Sequence, residues 1–141
     1  MKSTAAFVSC SYLMIQHENI IDLIPSEESK DDNNSIYKSL RIKENPSEAT
    51  FHVEGLAEYK IENEVDCLNL LRIGEKNRLL RLKKMNMDEH RCSTVLQLKF
   101  HGSHHKQNPS KFNICDLGGS DKISSEEKKN ARLLVDLEKL N

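Results

Sequence analysis

The chain has no tryptophan and only seven phenylalanines and tyrosines in 141 residues, so any core it builds is thin. It has almost no net charge (−1), which excludes a global attraction to nucleic acid or to an acidic membrane surface. No apolar run approaches the length of a membrane span. The start of the chain, with one lysine and the mixed run Ala5 to Ser11, is too polar and too short for a signal peptide. The four cysteines (Cys10, Cys67, Cys92, Cys115) form no CxxC pair, and their wide spacing fits reduced thiols in a cytoplasmic protein better than a disulfide framework. There is also no G-x-x-x-x-G-K-[ST], so the commonest phosphate cradle is missing.

What is present alternates between strands and helices. Phe7 to Ile15 reads as a strand buried on both faces, broken by Gln16-His17-Glu18-Asn19 and followed by the short apolar element Ile20 to Ile24. Ile36 to Ile42 and Thr50 to Val53 read as strands around an Asn45-Pro46-Ser47 turn, the second ending near Gly55. Asn63 caps the clearest helix, whose inner face is expected at Val65, Leu68 and Leu71 with Cys67 and Leu70 beside them. Gly74 is placed as its end or kink. Thr94 to Phe100 alternates with Thr94, Leu96, Leu98 and Phe100 on one face. The run Phe112-Asn113-Ile114 makes a buried strand that ends at Asp116, and Ser124 with Glu127 caps a last helix marked by Leu133, Leu137 and Leu140. The fold class is α/β, a central mostly β sheet flanked by helices.

The segment Cys115-Asp116-Leu117-Gly118-Gly119-Ser120-Asp121 carries the chemistry. An acid at a strand end can hold a magnesium-bound water, and the glycines after it let backbone amides approach a phosphate. The loop histidines His101, His104 and His105 fit no standard zinc spacing and read as solvated. Cys92 beside His90 and Arg91 lacks a third orienting group, so nucleophilic catalysis is not expected there. Lys76, Arg78, Arg81, Lys83 and Lys84, interleaved with Leu79, Leu80 and Leu82, form either a basic patch for an acidic partner or a solvated helix face with the leucines turned inward.

Taken in order, these segments resemble a kinesin motor domain. Val8 to Ile24 is similar to the family's VSYLEIYNEKIYDLL, Leu40 to Glu44 to LKIRED, and His52 to Glu58 to YVEGLTE. Leu70 to Arg78 resembles LLREGEKNR, and Asp116 to Asp121 resembles DLAGSE, the second phosphate switch. The resemblance implies a partial P-loop NTPase fold: one domain over residues 1–141 without the N-terminal P-loop portion or the C-terminal helices. It implies ATP with magnesium as cofactor, microtubules or tubulin as partner, and a cytoplasmic, cytoskeletal location. Asn86, Asp116 and Gly119 fall on nucleotide-contacting positions, with Asp116 reaching the metal through a water. Arg91 and Asp121 would form either the latch between the switches, shortened by one methylene because Asp121 stands where the family has Glu, or an ordinary surface ion pair worth about 0–1 kcal/mol. Lys122, Lys128 and Lys129, near the final helix, are the expected microtubule contacts.

The departures bear on activity. Against the first switch N-x-x-S-S-R-S-H, residues 86–93 place Glu89 and His90 at the serine pair, and a second register, matching NMNEH, deletes the pair. A carboxylate beside a triphosphate repels it. Residues 126–130 carry no glycine where the family has a flexible, glycine-bearing loop. The expectation is therefore a kinesin-like segment that does not turn over ATP as this chain and holds nucleotide weakly or not at all. The alternatives are a non-catalytic microtubule- or tubulin-binding module, and a chain that folds poorly. A final helix running to the last residue reads as a fragment of something larger.

Overall fold

A computed structural model describes residues 6–26, 39–46, 50–86, 92–102 and 109–119. Strand β1 (Phe7–Gln16) is the centre of the molecule. Its middle residues, Ser9 to Met14, are buried on both faces, as their continuous apolar and small character requires. It turns back into β2 (Asn19–Asp22) through His17 and Glu18, both at positive φ (46° and 63°). Two positive φ values in a two-residue loop make a hairpin turn whose twist matches the strands, and the Asn19 side chain donates to the His17 carbonyl at 3.1 Å.

Beyond β2 lie the hairpin β3 (Arg41–Asn45) and β4 (Thr50–Glu54), then β5 (Tyr59–Ile61), helix α1 (Glu64–Lys84), β6 (Ser93–His101) and β7 (Ser110–Asp116). The main sheet runs β2, β1, β6, β7, and β5 pairs with the opposite end of the β1 edge that β2 occupies. Every pairing in it is antiparallel. The β3–β4 hairpin is separate and meets β2 through the Ile20–Leu40 bridge, where Leu40 N–H donates to the Ile20 carbonyl at 2.7 Å.

Antiparallel partners share a face, so Cys10, Tyr12 and Met14 stand beside Ile21, Thr94 and Leu96. Helix α1 covers that face, adding Leu82 to the core, with Cys67, Leu70 and Leu71 packed against it. The opposite face is strapped by residues 55–58. Ala57 N–H donates to buried Asp22 at 2.8 Å, and Glu58 receives Ser9 Oγ at 2.5 Å, His101 Nε2 at 3.2 Å and the Lys99 ammonium.

Several expectations hold. The α/β class, the double-sided burial of β1, the alternation along β6 and the Asn63 cap are all seen, with Asn63 Oδ1 accepting from Asp66 N–H at 3.0 Å. Others need correction. The inner face of α1 is rotated: Val65 and Leu68 are exposed, and the buried positions are Gly74, Arg81 and Leu82. Gly74 does not end the helix, which runs on to Lys84, and lies mid-helix against Tyr12. The leucines of the basic stretch are not all inward, since Leu79 and Leu80 face solvent while Arg81 is buried. Strand β7 is exposed throughout rather than buried, because it is the outer strand of the sheet and α1 lies over β1 and β5. Strand β3 begins at Arg41, with Ile42 exposed; residues 36–38 and the helix expected after Ser124 lie outside the described residues.

Candidate functional site

The acid-glycine segment and the segment before β6 are brought together by strand pairing. Thr94 faces Asp116 across the β6–β7 ladder, which carries the chain beyond Asp116 back over Cys92 and Ser93. Gly118 N–H donates to Ser93 Oγ at 3.0 Å. A Cβ at Gly118 would stand 3.1–3.2 Å from the Cys92 backbone, so a side chain there would push the two segments apart. The absence of a side chain at Gly118 thus serves chain-to-chain packing, and its amide already has an acceptor. Asp116 and Gly119 are exposed.

Behind this junction runs a chain of polar side chains from three elements. Tyr12 on β1 donates its hydroxyl to Glu75 on α1 and also meets Thr94 on β6. Burial, reinforced by Glu75, pushes the Tyr12 phenol up to about 12. Glu75 pairs with Arg78 one turn on, Nε and Nη2 each 2.9 Å from Oε2. Burial pushes the Glu75 carboxyl up, but Arg78 and Tyr12 outweigh it and hold it below its usual range. The Glu75 hydrogen bond raises the Arg78 guanidinium further, and Arg78 Nη1 reaches Cys92 Sγ at 3.8 Å.

In the sequence Glu75 and Asn77 stand out only through the likeness to LLREGEKNR, while Gly74 reads as a helix end or kink and Lys76 and Arg78 as part of the basic stretch. In the fold most of these residues are fasteners. Gly74 lets α1 lie on the Tyr12 ring, Glu75 holds the Tyr12 hydroxyl, Asn77 donates to the Leu23 carbonyl at 2.8 Å, and Arg78 reaches the Cys92 segment. The spacing of Glu75 and Arg78 was the available signal, because residues three apart on a helix are neighbours.

Asn86 ends α1. It takes φ +50°, a conformation asparagine tolerates, and its N–H donates to the Lys83 carbonyl at 3.2 Å. Arg91, Asp121, Lys122, Lys128 and Lys129 lie outside the described residues, as do Glu89 and His90. Among the described residues, the pieces available to a magnesium nucleotide are one exposed carboxylate, Asp116, and the backbone around Gly119. Among the described residues no three His, Cys, Asp or Glu side chains gather to hold a metal. With the Gly118 amide engaged, these groups do not by themselves make a phosphate cradle. Among the described residues no helix is long and apolar enough to cross a membrane.

Comparison with known proteins agrees with the order of motifs. The family model described as the kinesin motor domain matches residues 1–141. The chain is 33% identical over 119 residues to Kinesin-related protein 5 of Dictyostelium discoideum, covering 83% of this chain and 11% of that protein. It is 31% identical over 125 residues to Kinesin-like protein KIF9 of Mus musculus, covering 85% of this chain and 15% of that one. Against Kinesin-like protein KAR3 of Saccharomyces cerevisiae it is 25% identical over 120 residues, covering 83% of this chain and 16% of the relative. The chain therefore spans no more than about a sixth of these relatives' length, and within that span it belongs to the kinesin motor domain family.

Proposed function

We propose that this chain is a kinesin-like segment whose role is the family's ATP-linked, microtubule-based one, and that by itself it does not turn over ATP. The observation that carries the second half is the Ser93–Gly118 clasp: the amide next to Gly119 already donates to a hydroxyl, which among the described residues leaves only Asp116 and the Gly119 backbone for a phosphate. The replacement of the switch serines by Glu89 and His90 supports the same reading, since a carboxylate near a triphosphate opposes binding. Where nucleotide does bind, Asn86 and Gly119 are the proposed contacts, Asp116 would hold magnesium through a water, and Arg91 with Asp121 would close the site. Lys122, Lys128 and Lys129 are the proposed contacts to the acidic microtubule surface.

A non-catalytic tubulin-binding module is the second reading. It is favoured by the exposed Arg72, Lys76 and Lys83 along the outer side of α1, beside exposed Leu79 and Leu80. Co-sedimentation of the chain with microtubules at low and high salt, with and without ATP, tests both. Pelleting that falls with salt and ignores ATP is expected. Pelleting that responds to ATP would overturn the claim that this chain does not work with nucleotide. A folded sample that stays in the supernatant would remove the microtubule contact.

A further inference from the structure

Cys10 lies at the middle of the core with no exposed surface, on the face of β1 that α1 covers. Cys67, in the second turn of α1, packs against the same cluster and is partly exposed. The two residues thus meet in one cluster at the helix–sheet interface, and the Cys67 thiol is close enough to perturb that of Cys10. They are 57 residues apart in sequence (67 minus 10), so only the docked helix brings them together. Cys92 is buried beside Arg78, and Cys115 stands exposed on the outer strand.

We propose that Cys10 and Cys67 form an oxidisable pair, closed to a disulfide by a small disulfide oxidant such as oxidised glutathione, which staples α1 to β1. The chemistry enters at Cys67, the accessible partner. Its thiolate attacks one sulfur of the oxidant and releases one equivalent of the small thiol, leaving a mixed disulfide on Cys67. Cys10 then gives up its proton to solvent, attacks Cys67 Sγ and expels the second equivalent. The two protein thiols lose two electrons and two protons, and the oxidant's disulfide becomes two thiols. Burial and the neighbouring Cys67 push the Cys10 thiol up to about 12, so the second step is the slower one and close contact is what drives it.

The full chain, with Cys115→Ser to prevent cross-linking between copies, is incubated with oxidised glutathione, alkylated in denaturant without reductant, and digested with trypsin. The expected product links peptide 3–30 to peptide 61–72, with Cys92 recovered alkylated. Thermal unfolding of the oxidised sample should rise by at least about 5 °C, because the cross-link constrains a long loop of the unfolded chain. Reductant should return it to the starting value. Cys67→Ser should abolish both the linked peptide and the shift. A stable glutathione adduct on Cys67 with Cys10 recovered as free thiol would overturn the proposal. So would a linked peptide that leaves the unfolding temperature unchanged or lower.

Discussion

Gly74 and Tyr12 set how closely α1 can approach the sheet. A Cβ at position 74 would fall 2.3 Å from Tyr12 Cδ1, inside any permissible contact. Alanine normally improves a helix interior by about 1 kcal/mol over glycine. Here Gly74→Ala is expected to destabilise by about 1–3 kcal/mol, because the ring is packed and cannot withdraw. Chemical denaturation of the single variant, Tyr12→Leu and the double variant checks this: the alanine penalty should shrink once the ring is gone. Asp22 is a second such residue. It is buried, which raises its carboxyl, while Ile24 N–H and Ala57 N–H, each 2.8 Å away, oppose that rise. Asp22→Ala leaves one buried and one half-buried donor without this acceptor, and a loss of about 1–3 kcal/mol is expected by urea denaturation.

At the scale of the element, α1 shows what could be read in advance and what could not. Its start was legible, since Asn63 followed by Glu64 and Asp66 is a cap with acids in the first turn. Its orientation was not. Apolar residues occur all round it, so Val65 and Leu68 looked as suitable for the interior as Leu70 and Leu71. The contacts that decided were polar: Arg81 goes in to meet Gln16 at 3.3 Å, and Asn77 and Glu75 reach the backbone and hydroxyl of the first two strand segments. A buried arginine on a helix is invisible to a pattern that sorts residues by hydrophobicity. Arg81→Leu should therefore destabilise despite its higher hydrophobicity, by about 1–3 kcal/mol in thermal or urea unfolding, with Gln16 left without this donor.

The strap over the other face is governed by charge. Burial pushes the Glu58 carboxyl up, but the Lys99 ammonium, the Ser9 hydroxyl and His101 more than offset it and hold it below its usual 4.5. A carboxylate whose pKa is lower in the folded state adds stability above its unfolded value, and that contribution fades as pH falls through the folded value. Unfolding followed from pH 6 to pH 3 should accordingly show a steeper acid loss in the parent chain than in Glu58→Gln. Equal slopes would mean that the strap contributes nothing to acid stability.

For the whole molecule, the described residues leave β7 as an outer strand with apolar side chains in the open. Phe112 and Ile114 are 56% and 51% exposed on the outer strand, and Leu117 beyond it is 78% exposed. The sequence marked this strand as interior because it reads Phe-Asn-Ile before an acid. That pattern describes a strand with neighbours on both sides, which the described residues do not provide. An outer strand with apolar residues invites pairing with other copies. Ile114→Lys should raise the concentration at which the chain stays monodisperse by light scattering, and should shift thermal unfolding little. The fold class and the break at residues 16–19 follow from pattern, and the meeting of the two switch-like segments follows from the resemblance. The clasp that occupies Gly118 needed coordinates, because nothing in a string of letters tells a glycine that awaits a ligand from one pressed against its own chain.

Strand β1 has an outcome of its own. It is paired with β6 from Phe7 to Ile15, and its other edge is divided between β5 and β2. Releasing its amides to solvent would mean breaking ladders on both sides at once, whereas β7 can peel away by losing one. In deuterated buffer the chain should label in that order: β7 and the β3–β4 hairpin first, α1 later, and residues 10 to 15 last, at a rate set by unfolding of the entire sheet.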